Sequence, residues 1–87
     1  MKTDMFVLKF HYVGTVARFD ELYGTFSDCK KELFDEICRK LGCFGLGEVS
    51  SWQELDAWAS KNGRFVWWSP KKDVAWVENF CYEIVKE

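Results

Sequence analysis

The sequence holds one proline and one histidine in 87 residues. A lone Pro70 leaves no proline-rich linker, and no internal repeat or low-complexity stretch divides the chain. A lone His11 removes most metal and triad constellations. No apolar run approaches the roughly 18 residues that a membrane span needs. The first residues, Met1-Lys2-Thr3-Asp4-Met5-Phe6, contain no apolar signal core and no small-residue cleavage site. Neither sign of charge dominates, with 12 basic residues against 14 acidic ones and a net charge of −2. The sequence pI near 5.4 lies far below the basic range of typical nucleic-acid binders. Disorder, collagen-like repeats, toxin-like disulfide density and a multi-domain enzyme are all excluded. A single α+β domain over residues 1–87 is expected.

What the chain has in excess is aromatic area. Phe, Trp and Tyr total 16, equal to Val, Leu and Ile together, and five of them are Trp. These residues fall into a legible pattern. Met5–Val13 alternates, with Phe6, Leu8, Phe10 and Tyr12 on one side and Val7, Lys9, His11 and Val13 on the other, as in a half-buried strand. Gly14-Thr15 suits a two-residue turn into a second strand over 16–22. That register pairs Phe10 with Phe19, Lys9 with Asp20, Tyr12 with Ala17, His11 with Arg18, Val7 with Leu22 and Phe6 with Tyr23. Its weak link is Leu8 facing Glu21.

Ser27-Asp28 is a helix start, and Leu33, Phe34, Ile37, Cys38 and Leu41 form one apolar stripe that ends at Gly42. Ser51 and Glu54 have capping-box spacing for a second helix to Lys61, with Trp52, Leu55, Trp58 and Ala59 inward. Residues 64–68 read as a third strand. Over 70–86 the sequence supports two structures. Val and aromatic content suits strands. A Ser69-Pro70 start and a stripe of Val74, Val77, Phe80, Cys81, Ile84 and Val85 suit a helix, and the helix is preferred. The expected order is therefore β-β-α-α-β-α: a small three-stranded, mainly antiparallel sheet packed with about three helices. A hairpin followed directly by a helix also opens the ubiquitin-like β-grasp folds. That analogy of element order over the first 42 residues carries no motif and no function.

Catalytic and metal chemistry find little support. Of Cys29, Cys38, Cys43 and Cys81, only Cys38 and Cys43 approach zinc-ligand spacing, and Cys38 lies on the core stripe. The four read as reduced thiols of a cytoplasmic protein. Cys29 sits where a helix start lowers a thiol pKa, but nothing brings His11, the one candidate base, within reach. Asp35–Glu36 and Glu54–Asp56 lie on solvated helix faces. Gly42–Gly47 follows a helix, the wrong context for a phosphate loop. No cofactor, metal or catalytic residue is expected.

The aromatics beyond core needs narrow to Trp67, Trp68, Trp76 and Tyr82. Trp67 and Trp68 are adjacent on a strand and project from opposite sheet faces, so a sheet covered on one side leaves one of them exposed. With Arg64, Lys71 and Lys72 these four form the candidate partner-binding set, since exposed Trp and Tyr dominate binding hot spots. The expected function is a small non-enzymatic protein-binding module. An inhibitor or immunity-type protein of phage or mobile-element class is the expected kind, and self-association is a further use of such a patch. The alternative is single-stranded nucleic-acid binding, with bases stacked on Trp68 and phosphates met by Arg64, Lys71 and Lys72.

Overall fold

The computed structural model describes residues 4–16, 18–42, 49–63 and 66–87. Its elements are β1 (Phe6–Tyr12), β2 (Phe19–Gly24), α1 (Phe26–Gly42), α2 (Trp52–Asn62), β3 (Val66–Trp68), β4 (Val74–Val77) and β5 (Phe80–Lys86). The class is α+β, but the expected architecture is corrected. There is one five-stranded antiparallel sheet, in the order β2-β1-β5-β4-β3, with two helices rather than three among the described residues.

The correction lies in residues 70–86, which form two strands and not a helix. Ser69-Pro70 opens a turn instead of a helix. The Ser69 hydroxyl accepts hydrogen bonds from the amides of Asp73 and Val74 (3.1 and 3.2 Å), and Lys72 takes a positive φ of 62°. Glu78, at φ 55°, turns β4 into β5. The same residues that make a helical stripe also alternate. Ala75, Val77, Tyr82 and Ile84 point inward, while Trp76 and Cys81 do not. β-branched and aromatic residues fit a pleated sheet better than a helix. β1 supplies the decisive partner, because an unpaired hairpin edge beside it is filled by seven register pairs with β5.

The N-terminal hairpin forms as expected at Phe10–Phe19 and Lys9–Asp20. Beyond those pairs the expected register fails. Leu8 pairs with Leu22, Val7 with Tyr23 and Phe6 with Gly24, and the shift falls at Leu8/Lys9. Glu21 is the extra residue. A strict register would have set its carboxylate beside Leu8 on the buried side, and a one-residue bulge avoids that. The bulge also carries Tyr23 from the side of Phe6 to the side of Val7. Arg18 lies before β2, and Ala17 lies outside the described residues. The tight turn is centred on Val13-Gly14, one residue earlier than expected, with Gly14 at φ 102° and the Thr15 amide donating to the Tyr12 carbonyl (3.1 Å).

Both helices are capped. For α1 the cap is Thr25, not Ser27: its hydroxyl accepts from the Asp28 amide, and the Asp28 carboxylate accepts from the Thr25 amide, each at 3.1 Å. Asp28 folds so closely over Gly24 that a Cβ there would lie 2.8 Å from its carboxylate. For α2, Ser51 accepts from the Glu54 amide, while the Glu54 carboxylate reaches Ser50 rather than Ser51. Both helices lie on the same side of the sheet. The buried core there runs through Leu8, Leu33, Ile37, Leu41, Leu55, Val77, Tyr82 and Ile84. Phe80, expected on a helix, packs from β5, where the ammonium of Lys40 sits 4.2 Å from its ring centre.

Candidate protein-interaction surface

The strand registers sort the side chains of the other sheet face into three rows. One row is Tyr23, Val7 and Val85. The next is Asp20, Lys9, Glu83 and Val74. The third is His11, Cys81, Trp76 and Trp67. An antiparallel sheet with one solvated face normally puts polar residues on it. Here two of the three rows are almost wholly apolar or aromatic, and their members lie outside the core cluster to which α1 and α2 contribute, with Val7 buried at 4% exposure and Tyr23, Trp67 and Trp76 exposed.

The aromatic row is the most exposed. Trp67 and Trp76 are cross-strand partners, 44% and 46% exposed, with ring centres 5.8 Å apart and planes tilted by 41°. Beside them His11, Val13, Trp76, Glu78, Asn79 and Cys81 line a shallow cavity of about 340 Å³. The middle row carries the charge. The Lys9 ammonium bridges to Asp20 at 2.9 Å, and Tyr23 donates its hydroxyl to the same carboxylate. Tyr23 and then Lys9, as donors, hold Asp20 below the usual carboxylate range. Burial, and then the charge of Glu83, pushes the Cys81 thiol up, while Arg18 pulls it partly back. Cys81 is therefore a neutral thiol at physiological pH and not a primed nucleophile.

The seven expected binding residues separate. Trp67 and Trp76 stand together on the uncovered face. Trp68 points the other way, is 9% exposed, packs edge-on against Trp52 and donates its indole N–H to Asp56 at 2.6 Å. Tyr82 is corrected from candidate contact to core: it is 1% exposed and donates its hydroxyl to Glu36 at 3.2 Å. Lys71 is exposed in the β3–β4 turn. Lys72 is half-buried, bridged to Asp56 at 3.1 Å and held over the Trp52 ring. Arg64 lies outside the described residues. With Trp68 buried, the stacking platform of the nucleic-acid reading is not at the surface.

Other candidates resolve into structural roles. Cys29 is fully buried, its thiol raised by burial, on the helix side of the sheet, whereas His11 belongs to the opposite face. The residue aligned with His11 is Cys81. Glu36 receives Tyr82 and Arg39, Glu54 caps α2, and Asp56 holds Trp68 and Lys72. Among the described residues no three metal-ligating side chains stand together. No described helix is long and apolar enough to cross a membrane. Cys43 and the loop 43–48 lie outside the described residues.

Sequence reasoning missed Cys81 and Val74 as neighbours of Trp76, and Tyr23 and Val85 as members of the same face. The alternation of Met5–Val13 already grouped Val7, Lys9, His11 and Val13. The helical reading of 70–86 hid the rest. Compared with protein-family models, curated proteins and solved structures, the chain matches none.

Proposed function

We propose that this chain is a protein-binding module whose contact surface is the helix-free face of its sheet, centred on Trp67 and Trp76. The observation that carries this is the exposed Trp–Trp pair at the end of an apolar row, on a face that α1 and α2 leave uncovered. Of the eight large hydrophobic residues that are exposed, Met5, Val13, Tyr23, Trp67 and Trp76 belong by strand alternation to this one face. Clustered exposed aromatics mark interaction sites on soluble proteins, and buried Trp anchors supply most of the energy at interfaces. Inhibition of the bound protein, the immunity-type role expected from size, is one consequence such docking has.

Photo-crosslinking tests the reading. A benzophenone side chain at position 76 is expected to give covalent protein adducts in the native host. The same group at Gln53, on the outer surface of α2, is expected to give none. Equal yields at the two positions overturn it.

A further inference from the structure

Resting on that reading, we infer that the protein seated on the uncovered face is a second copy of this chain, packed sheet to sheet about a two-fold axis. The rows themselves supply the argument. Packed sheets keep their strands within about 30° of one another. A two-fold axis parallel to the strands therefore lays each row against the same row of the second copy, run in reverse. With the axis between β1 and β5, Lys9 lies opposite Glu83 of the second copy, and Glu83 lies opposite its Lys9. Val7 likewise lies opposite Val85 of the second copy, and Val85 opposite its Val7. Trp76 comes over the β2 end of the aromatic row, while Trp67, on the outermost strand, reaches past that edge and senses the second copy through its ring contact with Trp76. Arg18 precedes Phe19 there, close enough to Cys81 to influence its thiol, and its guanidinium is a cation for the indole face.

Charge and size point the same way. Lys9, Asp20 and Glu83 sum to one negative charge in the middle row, and Arg18 at the end of the aromatic row offsets it. A strongly charged partner is thus not called for, and a second copy is not repelled. Both helices lie on the far side, so nothing on the described residues obstructs the approach. The five strands, seven, six, seven, four and three residues long, give a face of roughly 440 Å² in projection at about 4.8 Å between strands and about 3.4 Å per residue. That is about half of what a standard interface takes from each partner, so the dimer is reversible and its population follows concentration.

The test is sedimentation of the full chain from micromolar to millimolar concentration. The mass is expected to rise from 10.3 kDa toward twice that value. Lys9→Glu alone and Glu83→Lys alone are each expected to weaken association at least tenfold. An equimolar mixture of these two variants recovers it. In the mixed dimer both cross-axis contacts between positions 9 and 83 again join a carboxylate to an ammonium. Repair within one chain cannot produce that recovery. Gln53→Lys, exposed on α2 at the other side of the sheet, leaves association unchanged. A single-chain mass at millimolar concentration overturns the dimer, as does a mixture no stronger than its components. If position-76 crosslinks then join a different protein, the docking reading stands and only the two-fold dimer falls. If position 76 gives no adduct above Gln53, both fall.

Discussion

The two faces of the sheet are made from the same kinds of residue yet have opposite surroundings. On the helix face, Leu8, Phe10, Tyr82, Ala75 and Trp68 meet α1 and α2, and the polar atoms that these aromatics take inside have named partners: Tyr82 with Glu36, Trp68 with Asp56. On the other face Trp67, Trp76, Val74 and Val85 lie outside the core cluster that the helices share, and both Trp rings are exposed. Apolar area is stabilising only when water is removed from it, at about 25 cal/mol per Å². The first face therefore holds the fold together. The second leaves Trp67, Trp76 and Tyr23 about half exposed, apolar area that association can draw on.

Four measurements sharpen or break this contrast. The largest difference is in thiol access. Alkylation of Cys29 is expected to be slowed by at least about a thousandfold relative to the unfolded chain, since it needs opening of the core. Cys81, half-buried on the uncovered face, reacts in the folded protein at low concentration. Labelling followed by mass spectrometry separates the two sites, and equal rates would erase the distinction between faces. Next, Leu33→Ala is expected to cost about 2–5 kcal/mol in urea denaturation, the range for large-to-small changes in closed cores.

Tyr82→Phe comes third, at about 1–2 kcal/mol, because it removes a buried hydrogen bond to a carboxylate. Tyr82 also carries a pH signature. Burial, then the charge of Glu36 and the hydrogen bond to it, raises its ionisation well above the ordinary tyrosine value. The folded state thus holds the phenolic proton that the unfolded state releases above about pH 10. This contribution is complete below about pH 10 and is lost as pH rises beyond it. Wild-type stability is expected to fall more steeply than that of Tyr82→Phe in this window. Parallel slopes would contradict the buried assignment. The smallest effect is Trp76→Ala, at about 1 kcal/mol or less, the worth of a cross-strand pair on an open face. A cost matching that of Leu33→Ala would make Trp76 a core residue.

The helices and the N-terminal strand were legible because local signals and tertiary burial agree there. The stripe Leu33, Ile37, Cys38 and Leu41 and the Ser51–Glu54 spacing mean the same thing at every level. Residues 70–86 were misread because Val77, Phe80, Ile84 and their neighbours satisfy a helical and an alternating period together. What separates the two is a partner strand near the other end of the chain, β1, which no local window contains. The hairpin register was half legible. Its strained point, Leu8 against Glu21, was visible in the sequence, but relief by a bulge was not. Trp67 and Trp68 were correctly assigned to opposite faces by alternation. Which of them was covered depended on where α2 docks, and so on Trp52 and Asp56 lying against Trp68.

The contrast between the faces is tested most directly by fluorine NMR of the chain labelled with 5-fluorotryptophan and assigned by single substitutions. The five indoles report on both faces at once. On raising the protein concentration, the resonances of Trp67 and Trp76 are expected to shift while those of Trp52 and Trp68 stay fixed. Five resonances that do not move over the whole range would overturn the two-fold dimer, and shifts confined to Trp52 and Trp68 would contradict the contrast itself.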